Sequence, residues 1–267
     1  MDSQLVTICL LTFSINLVGA LAYAARIAGV RTRRIALSFS LFNVLVLLSR
    51  LSNSFLGPFL AKRIEAALLT GAGDGLLHDF RLILASATLA TILGTLLIPT
   101  TQRWFCGAIG QFQHHRSLLR LLGQGARPEG LRHLGRTITL PGLRHVRGLR
   151  RPTGVGAKII ALNVLAQALL SVGVVASLYA GYLYPDYRVT ASQLSAVVNG
   201  FATILLFVMI DPQLSIMTDD VVSGTVSEPV FRRTIVLLSM SRIAGTVLAQ
   251  VLFLPAAWLV MEVARIV

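Results

Sequence analysis

Arg50 lies about fifteen residues into an apolar stretch and is followed closely by Ser52, Asn53 and Ser54. One helical turn separates Arg50 from Asn53, so both side chains leave the same face. Arg242 lies about two turns into another apolar stretch, and Gln250 follows two turns later along a similar face. A charge at the centre of a lipid-embedded helix disfavours insertion by ~2.5–3.5 kcal/mol, and is expected to turn toward a cavity or a partner. The competing reading for Arg50 is snorkelling, because Pro58 is only about two turns away and the side chain has the reach for headgroups.

Two further stretches hold chemistry. Arg26 to Arg34 (RIAGVRTRR) combines the guanidinium groups of Arg26, Arg31, Arg33 and Arg34 with Gly29 and Thr32. Guanidinium forks bind phosphate oxygens through paired hydrogen bonds, so a pyrophosphate could dock there. The same cluster also serves as a topology signal attracted to anionic lipid headgroups, and both readings stay open. Asn199-Gly200 puts an amide and a flexible point within a third apolar stretch, which ends at Asp211-Pro212 and leads to Asp219-Asp220. Asp211 is expected either to cap the next turn or to pair with a cation of the Arg26 cluster. Adjacent aspartates do not share a helix face, so a cap or salt bridge is the reading for Asp219 and Asp220 rather than a Mg²⁺ site. The five histidines (His78, His114, His115, His133 and His145) are expected in loops, and no HExxH, zinc spacing, P-loop or GxSxG occurs. No catalytic residue, metal site or cofactor is expected.

The elements that must position these groups are transmembrane helices. Of 267 residues 55% are hydrophobic, only 13% are charged, and mean hydropathy is +0.75, where a soluble domain carries roughly a quarter charged residues. At ~20 residues per span the length suits about six. The reading is an all-α polytopic membrane bundle, a single integral membrane domain over residues 1–267, with two additional interfacial amphipathic helices. The six apolar stretches run from about Leu5 to Ala25, Ile35 to Leu56, Leu82 to Ile98, Ile159 to Leu183, Ala191 to Ile210 and Ile235 to Val263. Pro58, Pro99, Pro185 and Pro212 read as stops. Pro58 to Leu69 and Arg103 to Leu122 alternate apolar and charged faces at helical period and are expected on the membrane surface. Gly123 to Gly156 is Gly-, Pro- and Arg-rich, and partial disorder is expected there.

The net charge of +13 is concentrated. Between Gln102 and Lys158 eleven Lys and Arg face one acid, Glu129, as expected of a basic cytoplasmic loop, residues 101–157, rather than of nucleic-acid binding. Arg-rich odd connections and cation-poor even ones place both termini outside. No basic segment precedes the first apolar run, so GALAYAA at Gly19 to Ala25 is read as part of an uncleaved span. Cys9 and Cys106 form no pattern. Gly94-Thr95 echoes Gly245-Thr246, and Ser49-Arg50 echoes Ser241-Arg242, echoes too short to establish an internal repeat.

Three stretches together, Ala22 to Arg33, Leu48 to Phe59 and Val198 to Pro212 with Asp219-Asp220, resemble the Amj family of alternate lipid II flippases, over essentially the whole chain. The resemblance implies a bacterial cell (inner) membrane protein that exports lipid II, the undecaprenyl-pyrophosphate-linked disaccharide-pentapeptide, among membrane lipids. Arg26, Gly29, Val30, Arg31 and Thr32 match the family's first-connection motif, Arg50 and Asn53 its second-span motif, and Asn199, Gly200 and Asp211 its fifth. On this expectation the loop arginines Arg26, Arg31 and Arg33 receive the pyrophosphate and Arg50 and Arg242 line the way out. Asn53, Asn199 and Gln250 then hydrogen-bond sugar or peptide. A membrane enzyme using Asp211, Asp219 and Asp220, or a scaffold acting through the Arg-rich loop, are the rival classes.

Overall fold

The computed structural model describes residues 2–71, 73, 75–115 and 154–267, and among these residues the regular structure is entirely helical. The helices are α1 (Ser3–Thr32), α2 (Ile35–Thr70), α3 (Leu76–His115), α4 (Ala157–Leu183), α5 (Arg188–Ile204), α6 (Asp211–Ser223) and α7 (Glu228–Ile266). A π-helical segment, Leu205–Ile210, joins α5 to α6, so that Pro185–Ser223 makes one span. Six helices are thus long and apolar enough to cross a membrane. This is a multi-pass membrane bundle.

Helix ends follow local chemistry. The Asp2 carboxylate accepts from the Leu5 amide at 2.8 Å and caps α1. Gly71 (φ 66°) and Gly224 (φ 84°) close α2 and α6 in the left-handed region, where a Cβ is disfavoured. Two prolines expected as stops, Pro58 and Pro99, do not end their helices. Pro58, Pro99 and Pro255 all lie inside helices. Leaving the helix in lipid would strand several backbone groups with no water to bond them, so a chain there keeps its helix and forgoes one bond. The two stretches expected as separate surface helices are therefore corrected: Pro58 to Leu69 continues α2, and Arg103 to His115 continues α3. The expected basic loop 101–157 correspondingly starts later, since residues 101–115 belong to α3. Residues 116–153 of that loop, and with them most of the Gly123 to Gly156 stretch, lie outside the described residues.

Two three-helix halves are built alike. In each, the first and third helices cross closely and the second leans on the first from outside: α1 with α3 and α2, then α4 with α7 and α5. Glycine permits both close crossings. A Cβ on Gly94 would run into Ala20 and the Leu17 carbonyl, and one on Gly245 into Gln167 and the Val164 carbonyl. The Gly-Thr echo in the sequence therefore falls at matching positions of the two halves. An apolar cluster seals each end between them. At one end Phe80, Tyr179 and Phe253 meet with ring centroids 5.1–5.9 Å apart, joined by Ile8, Leu60 and Ile64. At the other, Ile27, Ile98, Ile210, Leu214, Phe231 and Ile235 are buried together.

Candidate functional site: a polar cavity between the halves

Between the two apolar seals lies a cavity of about 320 Å³, lined by all six spans. Its charged lining is Arg50, Asp211 and Arg242, and its neutral polar lining includes Asn16, Ser49, Asn53, Gln167, Ser171 and Asn199. Helical spacing explains the convergence. Thr12, Asn16, Gly19 and Tyr23 on α1 recur at intervals of four, three and four residues, one face of a helix.

Arg242 reaches the cavity through a gap that glycine leaves, since a Cβ on Gly19 would overlap its guanidinium. Among the described residues it meets no carboxylate, its Nε is buried with no acceptor, and it interacts with Tyr23. Arg50 is exposed at the cavity mouth and lies over the Phe207 ring at 5.1 Å. That contact bridges α2 to the π segment. A π turn suits this site, because the Asp211 amide bonds the Leu206 carbonyl five residues back, which brings Pro212 into the first turn of α6 where no amide is needed. The expected stop at Asp211-Pro212 is thus a change of helical register within one span.

Arg26 is a correction. Rather than lying in an open loop, it sits within α1 with its side chain 3% exposed, bonded through Nη2 to Asp211 Oδ1 at 2.7 Å; Asp211 is 26% exposed. The guanidinium also stacks on Phe39 and Phe42 of α2, at 5.2 and 4.5 Å. The first connection shrinks to Arg33 and Arg34, because Ser38 tucks under Gly29 and bonds the Ala25 carbonyl. Arg31 pairs with Glu228 at 3.2 Å, at the surface. Arg33 holds the left-handed turn (φ 53°) that ends α1 and is exposed. Neither lines the cavity. Gln250 also points elsewhere, donating to the Arg81 carbonyl at 3.0 Å, because the face it shares with Arg242 turns away from the cavity over two turns. Asp219 and Asp220, on α6, are likewise absent from the lining.

Five expected residues are thereby brought together: Arg50, Asn53, Asn199, Asp211 and Arg242. Sequence reasoning missed Thr12, Asn16, Gln167 and Ser171, whose signal was present as small or amide side chains at spacings of four in α1 and α4.

The α2 and α5 helices lean on α1 and α4 respectively and leave a seam between them. Arg50 over Phe207 spans the seam midway, Glu65 to Arg188 spans it at 4.0 Å near one end, and Arg26 ties α2 to α6 near the other. The seam's flanks are exposed and apolar: Leu47, Leu51 and Phe55 on one side, Phe201, Ile204 and Val208 on the other. A charged cavity thus reaches the surface beside lipid-facing side chains.

Residues 11–264 match the Amj family, described as "Alternate to MurJ". A curated relative, "Lipid II flippase Amj" of Bacillus subtilis (strain 168), is 34% identical over 248 residues, covering 91% of this chain and 90% of the relative. The chain belongs to the Amj family. No solved structure matches it. The matched region spans four of the six membrane-crossing helices in full, α1 from residue 11 on and α7 to residue 264, so the residues that line the cavity and its seam lie wholly inside it.

Proposed function

We propose that this chain is a flippase that carries lipid II from the cytoplasmic to the outer leaflet of the bacterial cell membrane. Such a protein must pass a doubly charged pyrophosphate and its sugars through hydrocarbon while the polyprenyl tail stays in lipid. One observation carries the reading: Arg50 and Arg242, unpaired with any carboxylate among the described residues, face one cavity between the two halves. Their two charges match the two of a pyrophosphate diester, whereas Arg26 is already offset by Asp211. The seam between α2 and the fifth span gives the tail a lateral exit. On this reading the basic connection lies in the cytoplasm and both termini lie outside. The membrane potential, at ~2.3 kcal/mol per charge per 100 mV, drives an anionic headgroup outward.

The test uses cells in which this protein is the sole flippase and an added enzyme cleaves lipid-linked precursor at the outer surface. Wild-type protein exposes the precursor to cleavage, and Arg50→Glu, inserted and expressed at the same level, abolishes exposure. Uncleaved precursor in cells holding stable wild-type protein would overturn the proposal.

A further inference from the structure

The cavity is chemically divided. Toward the Asp211 end lie all its charges: Asp211 itself, Arg242, and the head of Arg50 where it reaches Phe207. Toward the end sealed by Phe80 and Phe253 the polar lining is neutral: Thr12 and Asn16 of α1, Ser49 and Asn53 of α2, Ser171 of α4 and Asn199 of α5. The register is fixed by contacts, since the Ser49 hydroxyl donates to the Ile15 carbonyl at 3.1 Å and Gly173 packs against the Asn199 amide. Two of these groups are orphans. Thr12 is 5% exposed, and its Oγ1, like Asn199 Oδ1, is buried with no partner among the described residues. A buried hydroxyl or amide without a partner destabilises the fold; both orphans belong to residues that line this half of the cavity, with Asn199 Oδ1 turned against Gly173, and a ligand that draws them into the cavity supplies the missing bonds.

Resting on the flippase reading above, we infer that this neutral half is an amino-sugar subsite, which holds the sugar attached to the pyrophosphate and leaves the stem peptide unread. Sugar hydroxyls and an acetamido group each donate and accept, as hydroxyl and carboxamide linings do. A stem peptide carries carboxylates and ammonium groups, and the one charged lining residue whose backbone borders this half, Arg50, turns its guanidinium onto Phe207. Size agrees: about 320 Å³ is at the small end of ligand pockets, roughly 300–1,000 Å³, enough for a pyrophosphate and a sugar but not for a pentapeptide beside them. The substrate class is therefore a polyprenyl-pyrophosphate-linked amino sugar, with or without peptide.

The experiment reconstitutes the full-length protein in vesicles and compares transbilayer movement of lipid II, the same lipid without its peptide, and undecaprenyl pyrophosphate without sugar. The peptide-free lipid is expected to move within about threefold of lipid II, and the sugar-free lipid at least about tenfold more slowly, the equivalent of one hydrogen bond lost. Thr12→Val removes the orphan hydroxyl at nearly constant shape. It is expected to keep or raise thermal stability, to slow both sugar-bearing lipids about tenfold, and to leave the sugar-free lipid unchanged. Asn199→Leu provides the same comparison from the opposite wall should Thr12→Val fail to fold. Movement of lipid II but not of its peptide-free form would overturn the subsite assignment while sparing the flippase reading. Equal slowing of all three lipids by Thr12→Val would overturn it as well. Failure to move any lipid would overturn both.

Discussion

Replacing Asp211 with Asn leaves Arg26 charged, its side chain 3% exposed, with no carboxylate to face. Removing one member of a buried ion pair destabilises a protein by ~3–5 kcal/mol, mostly through the uncompensated charge left behind. Asp211 is itself about a quarter exposed to the cavity, and Phe39 and Phe42 still stack on the guanidinium, so the lower bound of about 3 kcal/mol applies. At 1.36 kcal/mol per tenfold that shifts the folded-to-unfolded ratio by roughly 150-fold. Arg26→Gln/Asp211→Asn replaces the pair by two neutral amides of similar size, and is expected to recover to within about 1 kcal/mol of wild type, because a buried pair and its neutral substitute are often close in energy. The assay is denaturant unfolding in detergent micelles for wild type, both single variants and the double, read as a double-mutant cycle with a coupling of at least about 2 kcal/mol. Asp211→Asn as stable as wild type, or a double variant no better than the single, would refute the claim that Asp211 exists to neutralise Arg26.

Gly19→Asp sets a carboxylate against the Arg242 guanidinium, which meets none among the described residues and is the flexible end of a side chain that can move aside; thermal stability is expected to hold while lipid II transport falls at least about tenfold, and full transport would remove Arg242 from the mechanism. Gly245→Leu drives a side chain into Gln167 and the Val164 backbone and is expected to cost about 2–3 kcal/mol by overpacking in the same unfolding assay, whereas Gly57→Ala, which meets open space inside α2, holds or raises the unfolding midpoint, because alanine is the better helix former. Asp2, outside the spans, is held below the usual carboxylate range first by the Leu5 amide and then by the Arg63 guanidinium, which also binds Asp79 at 2.5 Å. A depressed folded pKa gives stability that is present above about pH 4 and lost as pH falls through the folded value, so wild type and Asp2→Asn are expected to differ in melting temperature at neutral pH and to converge in acid.

Much of the architecture was legible because lipid imposes a coarse rule: six apolar runs became six spans, and the intramembrane Arg50 and Arg242 both face a cavity. Helix ends were less legible. Pro58, Pro99 and Pro212 read as stops by the habits of water-soluble chains, yet backbone groups in hydrocarbon have no other partner and the helices run on. Arg26 was misplaced for a related reason. Its neighbourhood looked like a loop because cations cluster there, and only the tertiary contacts with Asp211, Phe39 and Phe42 show that α1 carries it into the bundle. Gln250 failed because helical period accumulates error over two turns, whereas Arg50 and Asn53, one turn apart, stayed on one wall. The neutral lining of α1 and α4 went unseen because uncharged side chains within apolar runs give no charge signal, and some bond their own helix, as Ser171 does with the Gln167 carbonyl and Asn16 with the Thr12 carbonyl.

Thiol reactivity probes most directly whether polar side chains line a wetted furrow used by lipid II. With Cys9 and Cys106 replaced by Ser, Asn199→Cys presents a thiol on the cavity wall and Val197→Cys, at a position 51% exposed on the lipid side, serves as the control. Because the thiolate is the reacting form and needs water, a charged, membrane-impermeant reagent is predicted to label position 199 and not 197, and lipid II in the membrane to slow that labelling. Position 199 as inert as 197, or labelled at a rate indifferent to lipid II, would contradict the account.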